Sequence, residues 1–251
     1  MNLDLDRRVC IVTGASKGIG QGIARLLAAE GAQTVVVARR EALLESLGTE
    51  IADSGAPPPM VIAADLHDRA APALIATRVI ERFGHVDAVI NNAGGSRNLS
   101  IESGDDEWDE ALAINLTAVR KMTHAVLPSM LERGWGRVVN VTGSFEPLVI
   151  NGANVAKAGV HAWAKGLARE VAAHGITVNC VMPGRIHSEQ IDERMYPTEE
   201  ARREFAKANI PAGYFGDPGD VAHFVAFLCS TQARYVTGQR IYIDGGMHRA
   251  I

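Results

Sequence analysis

Seven short hydrophobic runs recur along the chain with almost no polar alternation inside them: RVCIVT (8–13), TVVVA (34–38), MVIAA (60–64), VDAVIN (86–91), RVVNVT (137–142), ITVNCVM (176–182) and RIYID (240–244). Runs of this length, rich in Val and Ile, predict parallel strands covered on both faces. The stretches between them carry a helical period instead. GIGQGIARLLAAEGA predicts a helix that stops at Gly31, and EALLESLGTEIADSG and 68–83 predict two more. DEWDEALAINLTAVRKMTHAVLPSMLERG predicts one long helix, with further helices over 152–174 and 218–230. Strand and helix thus alternate as repeated βαβ units, which predicts an α/β fold with a doubly wound parallel sheet of about seven strands and helices on both faces.

The GAPPP stretch at 55–59 is too short to link domains, so residues 1–251 are read as a single domain. A domain this long buries roughly 70–75% of its unfolded surface and needs no disulfide or metal to hold it. Residues 185–216 stand apart as a polar, charged insertion before the last strand, with Pro197 and Pro211. An insertion at the carboxyl edge of such a sheet is the expected place for a substrate lid.

Composition changes this picture only by exclusion. The net charge of -4 lacks the clustered basic face that nucleic acid or an anionic membrane needs. MNLDLDRR is not a signal peptide, and no apolar run approaches the ~20 residues that span a bilayer. A cytoplasmic protein is expected. Cys10, Cys180 and Cys229 are far apart in apolar surroundings and read as buried reduced thiols. The His residues show no ligand spacing, so no metal site is expected.

Candidate chemistry begins where the first strand runs into TGASKGIG (13–20), which opens a helix. Gly14 permits the tight turn, Gly18 lets backbone approach a pyrophosphate, and Gly20 lets helix pack on strand. The helix start offers free N–H groups and a positive dipole end to phosphates. This is the Rossmann-type arrangement for a dinucleotide. An acidic residue ending the second strand would hold the ribose 2′-hydroxyl of NAD, whereas Arg accommodates a 2′-phosphate. The chain has Ala38, Arg39 and Arg40 there, with Lys17 nearby, so NADP(H) is the expected cofactor.

With these motifs in place, the chain resembles the short-chain dehydrogenase/reductase superfamily over almost its whole length, and within it the 3-oxoacyl carrier-protein reductase-like group. TGASKGIG is similar to that family's T-G-x-x-x-G-x-G, and NNAG (91–94) follows the fourth strand as in the family. The resemblance implies cofactor contacts from Gly14, Ser16, Lys17, Gly18, Ile19, Gly20 and Arg39, from Asp65 and Leu66 at the adenine, and from Asn92, Ala93 and Gly94. Pro183, Gly184, Ile186 and Ser188 resemble the P-G-x-x-x-T segment beside the nicotinamide, with Ser for Thr. GQRIYIDGGM (238–247) resembles the C-terminal signature. Implied with these are hydride exchange between the cofactor and a small-molecule carbonyl or alcohol, Asn115 and Lys157 as catalytic residues, and a homodimer or homotetramer paired through the long helix and the 152–174 helix.

One position breaks the pattern. Lys157 in NVAKAG (154–159) matches the family's lysine, but Ala153 stands four residues earlier, where the family's Y-x-x-x-K has its proton-donating Tyr. Seven residues earlier, the enoyl-reductase spacing, stands Ile150. Counting without a gap puts Gly143 at the catalytic Ser position, and a local shift brings Ser144 there instead. Lys157 serves the ribose alone, or acts as the acid itself if burial lowers its pKa. Tyr196, Tyr214 and His187 are the other candidate donors, brought in by lid closure. Three readings remain open: an oxidoreductase with a non-standard proton donor, a cofactor-binding protein without redox turnover, and another reaction on the same fold.

Overall fold

The computed structural model of the chain describes residues 2–96, 98–143 and 149–249. The first half runs β1 (Val9–Thr13), α1 (Gly18–Ala29), β2 (Gln33–Ala38), α2 (Glu41–Asp53), β3 (Met60–Ala63), α3 (Ala71–Phe83) and β4 (Ala88–Asn91). The second half runs α4 (Asp105–Leu112), a π-turn (Ala113–Thr117), α5 (Ala118–Arg133), β5 (Gly136–Val141), α6 (Gly152–Val171) and β6 (Ile176–Pro183). A second π-turn (Gln190–Met195), α7 (Glu199–Asn209), α8 (Pro218–Cys229) and β7 (Arg240–Ile243) complete it.

The strands form one seven-stranded sheet in the order β3-β2-β1-β4-β5-β6-β7, every pair parallel. The sequence expectation of a Rossmann-type doubly wound fold is met. The absence of alternation in the strands has a direct cause. In β1, Val9 and Ile11 pack into a core with α3, α5 and α6, while Cys10 and Val12 pack into a second core with α1, α2 and α8. Successive side chains point to opposite faces, and here both faces are covered. Cys10, Cys180 and Cys229 are buried free thiols, and burial pushes the Cys180 and Cys229 thiols up to about 12.

The strand order reverses between β1 and β4, so the connections leave those two carboxyl ends in opposite directions and open a crevice between them. Everything expected of the cofactor site hangs on that crevice. At the bottom of the sheet, buried Asp87 ties the same strands. It accepts from the Val9 amide at 2.9 Å and from Arg8 at 3.1 Å, and pairs with His85 Nε2 at 2.9 Å.

Two elements differ from the sequence expectation. The long helix is broken into α4 and α5 by the π-turn at 113–117. A π-turn inserts one residue into the helical ladder, and here its centre is Asn115, buried to 2% exposure. The polar insertion 185–216 is also more structured than its composition implies. It folds as a π-turn and α7 around Ile191, Ala206, Ile210 and Phe215, with Tyr196, Phe205 and Met247 packed against them. Thr198 caps α7 by accepting from the Ala201 amide at 3.1 Å. No described helix is long and apolar enough to cross a membrane.

Candidate functional site

The turn after β1 is tied to the end of β4 by hydrogen bonds from both sides. Asn92 Nδ2 donates to the carbonyls of Thr13 (3.0 Å) and Gly14 (3.2 Å), while the amides of Asn92 and Ala93 both donate to Thr13 Oγ1 at 3.0 Å. This leaves no room for a side chain at Gly14 or Gly20. Gly14 has φ +66°, and a Cβ there would lie 2.9 Å from Ala93 Cα. A Cβ at Gly20 would come within 2.4 Å of the Gly14 carbonyl oxygen. Helix α1 begins at Gly18 with no side-chain cap and no acidic residue in its first turn, so its leading amides are open to an anion.

A cleft of about 390 Å³ opens from this turn across the sheet edge. Gly14, Ser16, Lys17, Arg39, Asp65, Leu66, Ala93 and Gly94 all line it, so the structure gathers eight of the sequence-expected residues in one place. Asn92 holds its floor through the bonds just given. Gly18 lies against Ser188, with 3.3 Å between a Cβ at Gly18 and Ser188 Cβ, and this brings the 183–188 segment to the phosphate loop. Pro183 ends β6 beside Ile243, and Gly184 donates its amide to the Ile243 carbonyl at 2.9 Å.

Two expected contact residues turn their side chains away. Ile19 and Ile186 pack into the α1/α8 core, Ile186 at 5% exposure. Asp65 is engaged locally: its Oδ1 accepts from the His67 amide at 3.0 Å and meets His67 Nδ1 at 2.8 Å. That backbone hydrogen bond, with the His67 ring beside it, holds the Asp65 carboxyl below its ordinary value. The Ser188 hydroxyl accepts from the Ile191 amide at 3.3 Å, which starts the second π-turn.

Around the second half of the sheet edge, Asn115 and Lys157 are both anchored to loops. Asn115 Nδ2 donates to the Ala111 carbonyl (3.0 Å) and the Gly95 carbonyl (3.1 Å), and its Oδ1 accepts from the Gly95 amide at 3.1 Å. The π-turn thereby fixes the loop after β4. Lys157 Nζ donates to the Thr142 carbonyl at 3.1 Å, and Thr142 Oγ1 meets His161 Nε2 at 2.7 Å. Burial pushes the Lys157 ammonium below its ordinary pKa. Burial, then the charges of Arg240 and Lys157, push His161 down to about 4, so it is neutral at physiological pH.

Ala153, Lys157 and His161 follow at intervals of four on one stripe of α6. Ala153 is buried to 3% exposure. A Cβ at Gly143 would lie 3.9 Å from Lys157 Nζ, so position 143 neighbours the lysine. Ser144 lies outside the described residues. Of the remaining candidate donors, Tyr196 packs on Phe205 (ring centroids 4.8 Å apart) and Phe215 (5.4 Å). His187 Nδ1 is paired with Asp192 at 2.8 Å. Tyr214 is 63% exposed, and the buried member of that segment is its neighbour Phe215. None of the chain's four tyrosines lines the cleft.

Three site features escaped the sequence reading. Asn151 caps α6 by accepting from the Ala153 amide at 2.9 Å, and its Nδ2 donates to Ser96 Oγ (3.0 Å) and Asn98 Oδ1 (2.8 Å). An Asn just before a helical pattern was the available signal. Thr142 links Lys157 to His161, and its only signal was a place at the end of a strand. Glu189 pairs with Lys17 at 2.6 Å and with Arg40 at 3.1 Å, and no local pattern announced it.

Comparison with known proteins agrees with this geometry. The family model described as enoyl-(acyl carrier protein) reductase matches residues 14–248. The chain is 36% identical over 251 residues to 3-oxoacyl-(acyl-carrier-protein) reductase FabG of Vibrio cholerae, covering 98% of this chain and 99% of that protein. It is 36% identical over 248 residues to nodulation protein G of Rhizobium sp., covering 97% and 98%. Among solved structures it superposes on L-sorbose reductase from Gluconobacter frateurii, complexed with NADPH and L-sorbose, with TM-score 0.93, 28% identity and full coverage of both chains.

Proposed function

This chain belongs to the short-chain dehydrogenase/reductase family, and from that premise we propose that it interconverts a carbonyl and an alcohol with NADP(H), using Lys157 as the proton donor. The enzyme class follows from the family and from the reductases it resembles. The observation that carries the reading is the cleft at the β1–β4 reversal, where an uncapped helix start, a turn closed by glycines and the cations Lys17, Arg39 and Arg40 face one space. The residues fit a dinucleotide with a 2′-phosphate. Gly14 and Gly20 close the turn, Gly18 admits the pyrophosphate, Lys17, Arg39 and Arg40 neutralise the 2′-phosphate, and Asp65 and Leu66 flank the adenine. When bound, the nicotinamide supplies the hydride.

This chain's own residues then have to supply a proton to the carbonyl oxygen. With Ala153 in the tyrosine's place, no phenol is available on α6. Lys157 is the titratable group one turn further along the same stripe, and burial lowers its pKa from the ordinary lysine value, which favours proton release. The Thr142 carbonyl fixes its direction, and neutral His161, which meets the Thr142 hydroxyl, adds no charge nearby. Asn115 is a positioning residue that holds the Gly95 loop, and Ser144 remains our candidate for orienting the substrate oxygen. The segment 185–216 is proposed as the lid. Self-association as a homodimer or homotetramer is proposed through α5 and α6, which leave Leu131 and Val155 exposed.

Titration with NADPH and NADH, followed by nicotinamide fluorescence, tests the cofactor assignment. NADPH is expected to bind at least tenfold more tightly, about 1.4 kcal/mol, which a charge-assisted phosphate contact readily provides. Tighter binding of NADH would overturn the roles given to Lys17, Arg39 and Arg40.

A further inference from the structure

Glu189, in the insertion, has its carboxylate held by two cations from two different loops. Its Oε2 lies 2.6 Å from Lys17 Nζ in the phosphate turn and 3.1 Å from Arg40 Nη1 after β2. Arg40 Nη2 also donates to Ser16 Oγ at 3.2 Å, so the guanidinium is steered toward the turn. Both cations belong to the set assigned above to the cofactor's 2′-phosphate, and this inference rests on that assignment.

We propose that Glu189 is a specificity-determining residue: a built-in anion that competes with the 2′-phosphate for Lys17 and Arg40 and so moderates the preference for NADP(H) over NAD(H). Charge arithmetic supports this. Lys17 and Arg40 together carry two positive charges, and Glu189 cancels one of them. A 2′-phosphate brings about -1.5 to -2 charge and three acceptor oxygens to the same pair. It therefore outbids one carboxylate but binds more weakly than it would to two unpaired cations. A 2′-hydroxyl brings no charge and gains nothing from displacing Glu189.

The contact is built to be displaced. Lys17 and Arg40 side chains are 44% and 50% exposed and Glu189 28%, and exposed pairs of this kind hold only weakly. The two cations nevertheless keep the Glu189 carboxyl below its ordinary pKa, Lys17 first.

The test is Glu189→Gln, which keeps the size and removes the charge of an exposed group. Dissociation constants of NADPH, NADH, 2′,5′-ADP and 5′-ADP are measured for both proteins at low and high salt. Glu189→Gln is expected to tighten NADPH and 2′,5′-ADP by roughly three- to tenfold relative to NADH and 5′-ADP. The gain should shrink at high salt and be smaller in an Arg40→Gln background. A lowered or unchanged NADPH-to-NADH preference, with the wild type still binding NADPH, overturns this inference alone. It would mean that Glu189 organises the two cations rather than competing for them. Failure of the wild type to bind NADPH or 2′,5′-ADP overturns the cofactor reading and this inference with it.

Discussion

Replacing Lys157 with Met is expected to lower kcat for carbonyl reduction by about 10²- to 10⁴-fold, the range that a positioned general acid contributes. Methionine keeps the unbranched apolar stem and removes only the group that donates to the Thr142 carbonyl. The sign of the pH dependence tells a proton donor from a residue that only holds cofactor. The donor form is the ammonium, so reduction falls as pH rises through the Lys157 pKa, which burial places below the ordinary lysine value. Alcohol oxidation needs the neutral amine and rises over the same interval. Lys157→Arg keeps the positive charge but stays protonated at any accessible pH, so it should remain slow and lose this pH limb. A Lys157→Met protein that binds NADPH and reduces substrate at the wild-type rate would assign the proton to another group.

Ala153→Tyr is the converse experiment, with an expected gain of about 10²-fold or more in carbonyl reduction near neutral pH. The phenol would stand one helical turn before Lys157 on the same face of α6. A free phenol has a pKa of about 10, and the adjacent ammonium favours its ionised form and lowers that value. Adding Gly143→Ser should raise the rate further, because a side chain at 143 falls 3.9 Å from Lys157 Nζ. Ala153 is 3% exposed, so the larger ring has to displace neighbours, at a cost of about 1–3 kcal/mol. Thermal unfolding is therefore measured alongside. A folded Ala153→Tyr protein with no gain on a broad ketone panel would mean that position 153 does not face the reacting carbon.

These expectations reach back to how much the chain's pattern disclosed. The central strands were legible because a strand covered on both faces keeps a nearly unbroken apolar run, as Val9 to Val12 does. The cofactor end was legible because its requirements are local. Gly14, Gly18 and Gly20 are close in sequence, and Arg39 follows its strand directly. The π-turn at Asn115 was not legible, since an inserted residue leaves the helical period of 105–133 nearly intact and shows only in the hydrogen bonds to Ala111 and Gly95. Glu189 stands 149 positions from Arg40, and only the folded sheet edge brings them together. Helix α7 was hidden by its charges: Glu199 to Asn209 buries little beyond Ala206, so its apolar stripe is too thin to read. The role proposed for Lys157 lay between these cases. Ala153 was visible in the sequence, but the burial that lowers the Lys157 pKa was not.

The most direct measurement is a single-turnover reaction of the purified protein with deuterium-labelled NADPH and a panel of ketones and 3-oxoacyl compounds, with products analysed by mass spectrometry. An NADP(H)-dependent reductase gives an alcohol carrying deuterium on the former carbonyl carbon, with one NADP⁺ formed per labelled product. Tight NADPH binding without deuterium in any product would contradict redox turnover and leave a cofactor-binding protein.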